Sequence, residues 1–140
     1  MLHLFHPALV HFTVAFVVTG AAVEIWAILR GHARAERWGE QLLALGLASL
    51  VVTVASGYLA ANTLPGPPGD GLLLAAHERN GWILLGLLLA AQFWKSWCGG
   101  RLVGRAAQLY TALLAAVLVA VAWSAWLGGQ MVYVHGIGVR

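Results

Sequence analysis

The side chains best suited to chemistry in this sequence are imidazoles: His6, His11, His77 and His135, with His3 and His32 beside them. Imidazole binds iron, copper and zinc through either ring nitrogen. His11 stands 19 residues before Arg30, and His77 stands 18 before Lys95. On helices rising about 1.5 Å per residue, both lie roughly 27 to 29 Å from those basic residues and are level with each other. Two level imidazoles on facing helices suit the two axial positions of a haem iron. Ala15, Thr19 and Ala22 below His11, and Gly81 one turn from His77, leave room for a porphyrin. The competing reading has both histidines hydrogen-bonding across helices or reaching the headgroup layer.

His6 is rotated by about 140° from His11 on a helix, so the two cannot serve one ligand position from one face. That leaves His6 as a supporting group or a second site. His6, His135 and Met131 could join His11 and His77 in a copper or zinc site, but no HxxxH or CxxC pair fixes such geometry. Gly57 on the second apolar run is a further place where a flat cofactor can approach the backbone. Glu24 is the one carboxylate well inside an apolar run, on a different face from His11. Its expected role is an intramembrane ion pair with Arg30 or Lys95, with a proton site as the alternative. No GxSxG elbow, P-loop or dinucleotide fingerprint is present, which removes support for hydrolytic or nucleotide-driven chemistry.

These residues need elements to hold them, and the composition says which. Of 140 residues, 61% are hydrophobic and 9% charged, more apolar surface than a soluble chain of this length can bury. Four apolar runs, at about 8–30, 41–61, 72–97 and 106–127, each match the roughly 20 residues that span a bilayer as helix. The expectation is one all-α domain, a four-transmembrane-helix up-and-down bundle, with no separate soluble domain. No basic stretch precedes the first run, so it is expected to remain as a span and not to be cleaved.

Within that frame, the first span is expected to begin near Pro7 and stop at Gly31, and the pair Gly128 and Gly129 to break the fourth. The second carries Gly46, Ser49, Thr53, Ser56, Gly57 and Ala60 as a stripe of small residues suited to close helix packing or a cofactor face. Pro65 to Gly69 forbid regular structure, and Asp70 can cap the third helix. His32 is expected in a solvated loop.

Basic residues set the orientation. Arg30, Arg34 and Arg37 lie between the first two spans, and Lys95, Arg101 and Arg105 near the turn between the last two; Arg79 and Arg140 are left for the opposite side. Short basic loops stay cytoplasmic, so both termini are expected on the outer, periplasmic side of a bacterial inner membrane. The net charge of +3 thus reports topology and not nucleic-acid binding. Cys98, alone and in a basic stretch, is expected to be a free thiol on the reducing side.

Two segments carry a resemblance: HPALVHF at His6 to Phe12 and GGQMVYVHGIGV at Gly128 to Val139. They resemble the bacterial membrane-protein family called domain of unknown function 2231, short four-helix proteins with an HPxxVHF start and a GG…Y.HG.GV end. The resemblance covers nearly the whole chain, with His77 in the place of a further histidine at the start of the third span. Thr13 stands where the family commonly has proline. Residue by residue, the resemblance implies functional histidines at His6, His11 and His135, with Gly136 and Gly138 letting the tail close over the outer bundle mouth.

The functional expectation is a membrane b-type cytochrome, an electron carrier more than a catalyst, with haem b held by His11 and His77. Its partners would be the lipid bilayer and a quinone or cytochrome, with a homo-oligomer or larger complex as the assembly. The alternative is a structural or accessory subunit that docks through the small-residue stripe of the second span.

Overall fold

A computed structural model describes residues 2–63 and 71–136, all helix and turn. The helices are α1 (Leu2–Arg30), α2 (Ala33–Thr63), α3 (Leu72–Trp97) and α4 (Arg105–Gly129), followed by a wider π turn at Gln130–Val134. All four are long and apolar enough to cross a membrane. The expected loop at Pro65 to Gly69, the Asp70 cap and Gly138 lie outside the described residues.

Helix boundaries follow local chemistry. Gly31, at φ +66°, ends α1 in the left-handed conformation that glycine adopts without steric cost. The connection to α2 is only Gly31 and His32, and the backbone N–H of Ala35 donates to His32 Nδ1 at 3.3 Å. His32 therefore caps α2 and is not a bare loop residue; Arg34, Arg37 and Trp38 lie on the helix itself. Two further expectations are corrected. α1 begins at Leu2 with Pro7 inside it, tolerated because Pro7 lies in the second turn, where only one helical hydrogen bond is forfeited. Gly128 and Gly129 do not break α4, which widens into the π turn beyond them.

Neighbouring contacts run α1 to α2, α2 to α3, α3 to α4 and α4 to α1, so α1 and α3 face each other across one diagonal. The tightest seam is between α1 and α2. A Cβ on Gly39 would fall 2.6 Å from Glu24 Cβ, and one on Gly46 2.7 Å from a Val17 methyl. The stripe of small residues on α2 thus packs against α1. This corrects the expectation that it is free to dock a partner, because α1 already covers it. Mid-bundle the core is purely apolar, with Val17, Ala21, Leu43, Leu50, Leu84, Leu88, Leu114 and Val117 among its buried members.

The polar side chains that face inward are therefore sorted to the two ends. One end carries His6 and His77; the other carries Glu24 and Lys95 beside the basic turns. His6 and Glu24 are 18 residues apart on α1, and His77 and Lys95 are 18 apart on α3. Eighteen residues make five helical turns, so each pair shares a face. That face of α1 runs His6, Thr13, Val17, Ala21, Glu24, and that of α3 runs His77, Asn80, Leu84, Leu88, Ala91, Lys95.

Candidate functional site

At the histidine end, His6 is pinned to α2. Ser56 Oγ donates to the Thr53 carbonyl at 2.9 Å, which spends the hydroxyl proton. His6 Nδ1 lies 3.1 Å from the same carbonyl and 3.0 Å from Ser56 Oγ, so Nδ1–H is the donor to both. The other ring nitrogen, Nε2, keeps its lone pair. A ring nitrogen tethered to a carbonyl, with its partner nitrogen left bare, is how metal-ligating histidines are oriented. The ring lies on Gly57, where a Cβ would sit 2.8 Å from His6 Cε1. Only glycine allows this approach.

Below His6 the seam continues in hydroxyls. Thr13 Oγ1 lies 2.8 Å from both Ser49 Oγ and Thr53 Oγ1. Thr13 and Thr53 are buried, and their mutual hydrogen bonds satisfy groups that lipid cannot.

From α3, His77 is half-buried and lies within electrostatic reach of His6. The Ser124 backbone of α4 lies beside its ring, while Nδ1 is buried with no partner. Gly128 stands beside it, a Cβ there lying 3.6 Å from His77 Cε1. One turn below, the Asn80 amide donates to the Ala120 carbonyl at 2.8 Å and fastens α3 to α4. Gly81 leaves ordinary room, its nearest neighbour being a Val54 methyl at 3.9 Å.

His11 does not join this pair. It is exposed on the outside of the bundle, and its Nδ1 bonds back to the Pro7 carbonyl of its own helix at 2.6 Å. The level of His11 was legible from spacing, but its face was not. Glu24 carried the missing signal: it lies on a different face from His11, and a carboxylate in a span must turn inward. His135 is also exposed, at the end of the π turn, so it stands outside the histidine pair. Among the described residues no group of three His, Cys, Asp or Glu side chains is placed to hold a metal ion. Cys98 is free and exposed.

The other end is a closed ionic knot to which every helix contributes. Lys95 of α3 donates through Nζ to Glu24 of α1 and, at 2.7 Å, to Glu36 of α2. Tyr110 of α4 donates to Glu24 Oε1 at 3.2 Å, and its ring lies 5.3 Å below the Lys95 ammonium. Trp94 meets the Tyr110 ring edge-on. Glu24 and Lys95 are fully buried and Tyr110 nearly so. The expected ion pair of Glu24 is thus present, with Lys95 and not Arg30. Glu36 and Tyr110 escaped the sequence reading, since neither stands out in its helix as Glu24 does.

A family model described as a predicted membrane protein, DUF2231, matches residues 2–140. The chain belongs to this family. The match agrees with the resemblance carried by the HPALVHF and GGQMVYVHGIGV segments and with the four helices. No curated protein and no solved structure matches the chain. DUF2231 membership therefore fixes the class, a membrane protein, and the site geometry carries any reading of function.

Proposed function

We propose that this DUF2231 protein is a b-type haem electron carrier of the bacterial inner membrane, with its histidine end on the periplasmic side and its basic turns in the cytoplasm. The axial ligands of this reading are His6 and His77. The observation that carries it is the convergence of two inward-facing imidazoles, each with one ring nitrogen left free: Nε2 of His6 by the Thr53 and Ser56 tether, and Nδ1 of His77, buried without a partner. Gly57 fits the same purpose, since a side chain there would crowd the His6 ring.

Bound haem would supply one-electron redox chemistry, and this chain would hold, orient and insulate it. Thr53 and Ser56 fix the His6 ring and its tautomer. Redox exchange would be with a quinone or a periplasmic or membrane-bound cytochrome. Arg30, Arg34, Arg37, Arg101 and Arg105, all gathered at the end away from His6 and His77, support this orientation.

The test is the haem content of protein purified in mild detergent from cells supplied with haem precursor, assayed as the pyridine haemochrome. Stoichiometric haem in the native protein, lost in His77→Ala, supports the reading. Protein free of haem under these conditions overturns it.

A further inference from the structure

We infer that the ionic knot at the basic end is a proton-binding site, carrying one proton more than its formal count, and that this proton resides on Glu24. The inference is independent of the haem reading, which concerns the opposite end of the bundle.

Two carboxylates, Glu24 and Glu36, share the single ammonium of Lys95, and Tyr110 adds a neutral hydroxyl. With both acids ionised the knot carries one negative charge in excess, among side chains where Glu24 and Lys95 are wholly cut off from solvent. An uncompensated charge in such surroundings is strongly disfavoured. Glu40 of α2 adds a further negative field at Glu24. The nearby cations do not cancel it: Arg30, Arg37 and Arg105 are exposed and carry their charge to the surface.

Position selects the carboxyl. Both donors to Glu24, Lys95 Nζ and Tyr110 Oη, converge on Oε1, and Oε2 is buried with no partner. An ionised oxygen without a donor is costly to bury, whereas a neutral acid puts its hydroxyl there and keeps Oε1 as the carbonyl acceptor. Glu36 is the alternative carrier, but its side chain retains 19% exposure, so water stabilises its ionised form. The proton is taken from the aqueous phase at the basic end, with Glu36 as the partly wetted group next to Lys95. A groove of about 440 Å³ lined by Glu40, Gln92 and Ser96 opens between α2 and α3 at the same end. No electrons move; one O–H bond forms on a carboxylate.

The experiment is infrared difference spectroscopy of the purified full chain in detergent at neutral pH, in H₂O against D₂O. The expected result is a neutral carboxylic-acid C=O band that shifts on deuteration. It disappears in Glu24→Gln. It also disappears in Glu36→Gln, because Lys95 then balances a single ionised Glu24. It persists in Glu78→Gln, an exposed carboxylate near the histidine end. Absence of the band in the native protein overturns the inference, as does its survival in either Glu24→Gln or Glu36→Gln. The native spectrum and the Glu36→Gln variant decide the matter even where Glu24→Gln fails to fold.

Discussion

The two ends of the bundle bury polar groups in opposite ways. At the basic end, one side chain from each helix closes on the others, and Lys95 and Tyr110 both donate inside the knot. At the histidine end, His6 is tethered through Nδ1 alone, and Nδ1 of His77 is buried without a partner. A closed network joins helices and holds charge; half-held imidazoles are what a ligand requires. About 27 Å separates the two, by the five helical turns between His6 and Glu24. The same two helices, α1 and α3, therefore carry both polar clusters at their opposite ends.

The largest effect that would test this contrast is at Lys95. Lys95→Met leaves Glu24 and Glu36 facing each other without their cation, a loss of about 3–5 kcal/mol for breaking a buried pair. Thermal unfolding in detergent reads it, and a shift as small as that of a surface substitution would erase the distinction between the ends. Next is the seam that sets Glu24 in place. Gly39→Ala drives a methyl into Glu24 and should cost about 1–3 kcal/mol, as overpacking does. Gly86→Ala, with nothing within 4 Å, should instead be neutral or stabilise by about 0.5–1 kcal/mol through helix propensity. Equal effects at the two glycines would contradict the account of α1 and α2 as the tight pair. The smallest change is at the histidine end: Thr13→Val removes the hydroxyl shared with Ser49 and Thr53 and should cost about 0.6 kcal/mol, as an interhelical hydrogen bond in a membrane does. Denaturant unfolding of the same preparations checks it.

Much of the fold was legible because lipid imposes simple demands. Four runs of about 20 apolar residues with both basic turns at one end left little choice of architecture, and Gly31 marked its own turn through its need for positive φ. The π turn was not legible, since Gly128 and Gly129 are breakers in water but pass within a helix that lipid surrounds. The site was half legible. Counting residues from the basic anchors put His11 and His77 at one level, and both do lie at the same end. Counting alone ignored rotation. His6 and Glu24, five turns apart, share a face, and burial of that carboxylate fixes the whole face of α1 inward and turns His11 out. Pairing Glu24 with Lys95 was within reach of the same rule, because His77 and Lys95 repeat the interval on α3. Tyr110 and Glu36 left no such trace: each reads as an ordinary helix-end residue, and only the packing of α4 and α2 brings them to Lys95.

The most direct test of the histidine end is the dithionite-reduced minus oxidised absorption spectrum of the purified protein and three variants. The account predicts sharp low-spin haem bands in the native protein and in His11→Ala, and their loss in both His6→Ala and His77→Ala. Bands that vanish in His11→Ala but survive in His6→Ala would contradict it.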